Sequence, residues 1–475
     1  MAEWMAVQLP ALVILVPLAA APLAYMLGAR FARPVALLSA LLSQPLAIVL
    51  ALEVARGGSI RHEVGGWGGP LGIDLVADGF AAVMILVTSA VGLCVTVYAL
   101  RYFDDMRKYR FFWPLWLFLW SSLHALFLSA DIFNLYVCLE LVTISAVALV
   151  GLSQKSAALV AAMRYMLAAI LGSLFYLFGV ALIYGAFGSV DMATLSETVR
   201  PDITGQAGLA LMTVGLALKT ALFPLHFWLP SAHSNAPSPV SALLSALVVK
   251  GSFVILARLW FDVAPAAAFT GAALLLGVLG ASAIIWGSVQ ALRQRRLKML
   301  VAYSTVAQIG YLFLMFPLIA PGGPAASEAW VGGVFHAVSH ALAKSAMFLA
   351  AGVVIARLGH DRLDALTGLS RRAPVTALTF GLAGVTMMGL PPSGGFVAKW
   401  GLIGASIESG QWWWAVVVVA GGLLAAAYVF RVVGPFFATP PDDPGADRPE
   451  QAARLRPMDG AALALALGSL IVGVA

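Results

Sequence analysis

Four lysines and one glutamate lie inside apolar stretches long enough to span a lipid bilayer: Glu140, Lys219, Lys250, Lys344 and Lys399. A charged group at bilayer depth costs roughly 2.5–3.5 kcal/mol on insertion scales. One such residue could reach the interface by snorkelling. Five, each on a different hydrophobic segment, point to a route for charge through the membrane. Proton transfer is the chemistry these types support. A nearby carboxylate favours the ammonium form of a lysine and burial disfavours it, so movement of the carboxylate switches whether the lysine keeps its proton. Glu140 is the only acid in the core of any predicted span, and Lys219, two spans further on, is its natural partner. Lys250, in Ser245-Ala-Leu-Val-Val-Lys-Gly251, is too far from either end of its span to snorkel easily and is expected to face a hydrated interior.

His336, His340 and Lys344 follow one another at spacings of four. Such positions drift only about 40° per step, so they share one helix face as a row about 12 Å long. Histidine titrates near neutral pH, so this row could pass protons through intervening waters. The competing reading is a metal site, since His at i and i+4 can hold zinc, but no HExxH and no acidic third ligand lies on this helix. His226, His233 and Asn235 could feed protons from the cytoplasm or merely cap helices, and His124 is equally open. Tyr303, Ser304 and Thr305 could line water, or their hydroxyls could bond back to helix carbonyls.

Two of the spans are interrupted. Lys219 is followed by Thr-Ala-Leu-Phe-Pro-Leu-His-Phe-Trp-Leu-Pro230, where Pro224 and Pro230 each remove a backbone donor. The carbonyls so freed need water, a side chain or an ion. The second break, Gly389-Leu-Pro-Pro-Ser-Gly-Gly-Phe396, carries Pro391, Pro392, Gly394 and Gly395, and Lys399 follows one turn later. The two breaks are five spans apart. An odd offset runs the second copy through the membrane in the opposite sense, and inverted repeats with a broken helix in each half are a transporter pattern.

These residues need a membrane frame. The chain is 61% hydrophobic and 11% charged over 475 residues, against about a quarter charged in soluble domains. A span needs about 20 apolar residues. Candidate spans are centred near residues 17, 44, 88, 120, 142, 172, 216, 249, 278, 308, 343, 392, 425 and 467. The expected fold is therefore an all-α polytopic membrane protein of about fourteen transmembrane helices with two inverted five-helix repeats. Residues 1–110 hold helices 1–3, 111–262 the first repeat, 263–439 the second, and 440–475 a cytoplasmic loop and helix 14. The apolar runs do not alternate, which argues against a β-barrel. The first segment lacks a basic leader region and reads as a true span. Cys94 and Cys138 fall within spans and are expected to be packing residues. No nucleotide, flavin or iron–sulfur motif is visible, and no cofactor or metal is expected. Of the 28 basic residues, 20 fall in loops after odd-numbered spans, four after even-numbered spans, and four are the buried lysines. Among the twenty are Arg107, Lys108, Arg295, Lys298 and Arg448; Arg258 is among the four. The split places the odd loops in the cytoplasm and both termini outside the cell (inner) membrane. The net charge of +6 then reflects topology and gives no reason to invoke nucleic acid.

The same residues resemble the antiporter-like membrane subunits shared by Mrp-type cation/proton antiporters, respiratory complex I and membrane-bound hydrogenases. The matching pieces are Leu139-Glu-Leu141, Lys219 through Pro230, Ala236-Pro-Ser-Pro-Val-Ser-Ala-Leu-Leu-Ser245 with Lys250, His336-Ala-Val-Ser-His-Ala-Leu-Ala-Lys344, and Gly389 through Phe396 with Lys399. The likeness runs from about residue 70 to 435. It implies a half-channel in each repeat, joined by a polar axis at mid-membrane. Glu140 and Lys219 would be the first ion pair and Lys250 the connecting residue. His336, His340 and Lys344 would belong to the second half-channel, with Lys399 its terminal group. Residues 165–192 look most like the D-type member of the Mrp antiporters, and Lys399 fits that, since a complex I relative has glutamate there. The resemblance implies a proton-translocating, non-enzymatic subunit of a sodium or potassium/proton antiporter. Its partners would be other membrane subunits, including a related antiporter-like one. The alternative is the pumping module of a redox complex, either complex I-like or a membrane-bound hydrogenase.

Overall fold

The computed structural model describes residues 2–69, 72–103, 105, 109–438 and 449–474. Arg107, Lys108 and Arg448 of the basic count, and residues 440–448 of the expected cytoplasmic loop, lie outside them. Apolar sequence in lipid must satisfy its own backbone, and the described chain is accordingly a succession of α-helices. Ten of them are long and apolar enough to cross a membrane, and Phe112–Leu128 and Pro374–Met388 are shorter apolar helices. The protein is an all-α polytopic membrane protein. One non-helical element was not expected: an antiparallel hairpin pairing Ile60–Glu63 with Asp74–Ala77. Each strand is only four residues long, too short to give a readable alternation, and glycines at 65, 66, 68 and 69 supply the turn between them. Arg61 closes it by an ion pair with the buried Asp74.

The chain divides into two compact units. Unit 1 comprises residues 1–96, 105–221 and 247–269, and unit 2 comprises residues 97–104, 222–246 and 270–475. In unit 1 the Ser156–Phe187 and Ile203–Thr220 helices pack at a distance only glycine allows. A Cβ on Gly172 would sit 2.8 Å from the Gly215 carbonyl and 3.2 Å from Lys219 Cγ. That close approach sets the depth at which Lys219 is held. On the same unit, Arg258 is mostly buried and donates to both carboxylate oxygens of Asp78, each at 2.9 Å. It is thus more than an exposed loop charge.

In unit 2 the 36-residue Gly323–Leu358 helix is buried over most of its length and packs against Gly394–Glu408, Pro374–Met388 and Pro449–Ile471. Arg357 pairs with Asp459 at 3.0 Å, and Asp459 also accepts from Thr376 Oγ1 at 2.6 Å, which ties three helices together. Lys298, counted among the loop charges, is instead 3% exposed. It sits in the first turn of the Leu297–Phe313 helix, and its ammonium donates to the Ala236 carbonyl at 2.5 Å.

Candidate functional site

In unit 1 the side chain of Asp131 accepts from the Asn134 amide at 2.6 Å and starts the Ile132–Val150 helix. That helix carries Glu140, and Thr143 follows on the same face. Lys219 occupies the last turn of the Ile203–Thr220 helix, which ends where Ala221 takes a left-handed conformation (φ 60°) ahead of Pro224. The Lys219 ammonium lies 3.4 Å from Glu140 Oε1 and donates to Thr143 Oγ1 at 2.9 Å. Ser173 Oγ donates to the same Glu140 oxygen from the Ser156–Phe187 helix. The two charged side chains differ in access: Lys219 is 6% exposed and Glu140 26%. A neutral hydroxyl therefore competes with the ammonium for one carboxylate oxygen, the arrangement a movable pair requires. Lys250 is fully buried in the Val249–Arg258 helix. Ser252 on that helix accepts from Thr220 Oγ1 at 2.9 Å. A π-helical turn, Leu244–Val248, precedes Lys250; such turns break the regular ladder and recur at functional positions.

In unit 2, His336, His340 and Lys344 are all buried along one helix. The two imidazoles stack with centroids 5.7 Å apart, and His336 Nε2 lies 2.9 Å from the Gln308 carbonyl. Lys344 donates to the Val301 carbonyl at 3.1 Å and to Ser304 Oγ. Ser304 also bonds back to Val301, and Thr305 bonds to both Val301 and Ser245. Ser304 and Thr305 thus bond back to a helix carbonyl, the second of the two readings, and Ser304 also accepts from the Lys344 ammonium.

The second helix break is a turn between Pro374–Met388 and Gly394–Glu408, with Gly389 at φ 82° and Ser393 capping the second helix through the Phe396 amide. A Cβ on Gly389 would run into the Lys399 side chain. Lys399 donates to the carbonyls of Met387 at 2.7 Å and Met388 at 3.1 Å, and its ammonium stands 4.6 Å from the centre of the Tyr311 ring. The freed carbonyls have thus found an ammonium partner. Tyr311 in turn packs 5.1 Å from His336, and Gln308 donates to Met387 O at 3.3 Å and to Tyr428 at 3.2 Å. Tyr311 and Gln308 were missed from sequence. Their spacing of three on one helix, Leu297–Phe313, was the available signal.

The remaining candidates make local contacts. His124 takes the Trp120 indole N–H at 3.0 Å and its Nδ1 lies 2.9 Å from the Val13 carbonyl. Asn235 bonds back to the Ser231 carbonyl at 2.9 Å as a cap. His233 is buried against Phe348, and His226 stacks on Phe223. Pro230 begins the short Leu229–Asn235 helix, where its missing N–H costs nothing. Cys94 and Cys138 are free thiols.

Comparison with known proteins agrees with an all-α membrane fold. Residues 129–425 match the family described as NADH:quinone oxidoreductase/Mrp antiporter, transmembrane. The chain is 35% identical over 452 residues to the N-type subunit of the NADH-quinone oxidoreductase of Desulforudis audaxviator, covering 93% of this chain and 89% of the relative. It is 30% identical over 364 residues to the D-type subunit of the Na(+)/H(+) antiporter of Alkalihalophilus pseudofirmus, covering 75% and 72%. Among solved structures it resembles a chain of the Mrp complex from Dietzia sp. DQ12-45-1b, with a TM-score of 0.89, 26% identity and coverage of 99% and 94%. The chain belongs to the NADH:quinone oxidoreductase/Mrp antiporter family of membrane subunits.

Proposed function

We propose that this chain is the proton-translocating subunit of a multisubunit monovalent cation/proton antiporter in the cell membrane. Glu140, Lys219 and Lys250 would carry protons in unit 1, and His336, His340, Lys344 and Lys399 in unit 2. The observation that carries the reading is the Lys219 ammonium, shared between Glu140 at 3.4 Å and Thr143 at 2.9 Å while Ser173 holds the same carboxylate oxygen. When the Glu140 carboxylate moves away from Lys219, the lysine loses its counter-charge and its proton becomes easier to release; when it returns, the ammonium is favoured again. Each half thus works as a relay whose driving step lies in other membrane subunits. The likeness to the Alkalihalophilus antiporter subunit and to the Dietzia Mrp complex supports cation exchange as the driving step.

A second reading is favoured by the Desulforudis relative, which is 35% identical over 93% of this chain and whose complex is a quinone oxidoreductase by name. Copurification of the tagged chain with its partners, followed by proton flux in inverted vesicles, separates the two. Flux started by sodium or potassium with no electron donor supports the antiporter. Flux that appears only with an electron donor, together with redox subunits in the preparation, overturns it in favour of the pumping module.

A further inference from the structure

Unit 2 carries a second feature that the proton path does not use. Arg295, Arg296, Arg362 and Arg431 line a cavity of about 460 Å³ together with Leu363 and Asp364. Arg296 is bonded to Asp361 at 2.9 Å and Arg362 to Asp364. Arg295 and Arg431 have no carboxylate partner among the described residues. Among the described residues, four guanidinium groups against two carboxylates leave two positive charges in excess, in a basin built of the side chain that best forks onto phosphate oxygens. The basin is set at a defined height. Arg296 immediately precedes the Leu297–Phe313 helix, and Arg431 lies six residues before the end of Trp412–Phe437. Both helices belong to segments apolar enough to cross a membrane. The arginines therefore stand where a lipid headgroup would.

The residue before Arg431 points to the rest of the ligand. Phe430 is 62% exposed and lines a groove of about 270 Å³ with Leu390, Phe396, Trp400 and Leu423, closed at one side by Lys399. The groove residues run from Val418 to Phe430 of one helix, about 18 Å of axial length. One helix thus lines both features, the apolar groove through Phe430 and the arginine basin through Arg431, the next residue towards its end.

We propose that unit 2 binds one anionic phospholipid, its phosphate in the arginine basin and part of an acyl chain along the groove beside Lys399. The charge excess selects an anionic lipid over a zwitterionic one, and the groove distinguishes a lipid from free phosphate.

The test uses the full chain with its copurified partners, reconstituted in nanodiscs of phosphatidylcholine alone or of phosphatidylcholine with phosphatidylglycerol. Lipid retained after transfer to detergent is counted by native mass spectrometry, with and without excess inorganic phosphate. Wild type should keep one phosphatidylglycerol that phosphate does not displace. Arg295→Gln/Arg431→Gln should keep about thirtyfold less, at a factor of about five for each basic side chain facing an anionic membrane surface. Arg164→Gln, an exposed arginine on the Ser156–Phe187 helix of unit 1, should match wild type. Equal retention by the double variant, equal retention of phosphatidylcholine, or no lipid kept by wild type overturns the proposal. Displacement by inorganic phosphate overturns the lipid reading and reassigns the basin to soluble phosphate.

Discussion

Glu140→Gln keeps the size and the hydrogen-bonding oxygen of the side chain and removes its charge. At 3.4 Å, the attraction between Glu140 and the Lys219 ammonium is about 5 kcal/mol for an effective dielectric of about 20. Glu140 is 26% exposed, and doubling the dielectric for that access leaves about 2.5 kcal/mol. If the protonated state of Lys219 lies on the transport path, losing this attraction slows flux by about two to three and a half orders of magnitude, since about 1.4 kcal/mol is tenfold. Glu140→Asp draws the carboxylate back by about 1.5 Å, and the same arithmetic gives a loss of only about three- to tenfold. Combining Glu140→Gln with Lys219→Ala should be no worse than the poorer single variant, because two residues acting as one unit are strongly non-additive. Proton flux is read by fluorescence quenching in inverted vesicles, with complex assembly checked by copurification. An assembled Glu140→Gln complex with flux within about threefold of wild type would refute the coupled pair.

Thr143→Val removes the acceptor of the Lys219 ammonium without changing its shape; a hydrogen bond to a charged group is worth about 1.5–3 kcal/mol. Flux should fall about ten- to a hundredfold and return with Thr143→Ser, and no loss in the valine variant would remove Thr143 from the site. Lys399→Met takes the ammonium from the Met388 carbonyl and leaves the Met387 carbonyl with Gln308 alone, so both flux and thermal stability should drop. Lys399→Arg keeps donors but scarcely deprotonates, so flux should be lost with stability retained. Lys399→Glu, which can cycle a proton, should retain part of the flux; full flux in Lys399→Met would make Lys399 structural. In a chain cleared of Cys94 and Cys138, a cysteine at Arg295 should be shielded from an impermeant thiol reagent added to whole cells, whereas labelling from outside would invert the proposed topology. The purified chain alone in liposomes should show no full cation/proton exchange, and exchange by the single chain would show that partners are dispensable.

The elements were legible because lipid leaves few choices: a long apolar run must close its own hydrogen bonds as a helix. A charge inside such a run is conspicuous for the same reason, which is how Glu140 and the four lysines stood out. What surrounds them was not legible. Thr143, Ser173, Gln308 and Tyr311 are neutral, and in sequence they look like any residue that packs or bonds back to its own helix. Lys298 was hidden by company, standing in a basic run at a helix end. Yet a cation in the first turn opposes the helix dipole, and that misfit was a readable sign that it serves something else, here the Ala236 carbonyl. The second helix break taught the most. Paired prolines and glycines predicted freed carbonyls in need of water, a side chain or an ion. The structure fills that place with the Lys399 ammonium itself, bonded to Met387 and Met388. A proton cannot leave Lys399 without weakening the contacts that satisfy the broken helix. Any transfer from this residue is therefore tied to a rearrangement of the break, and the prolines and the lysine work as one device.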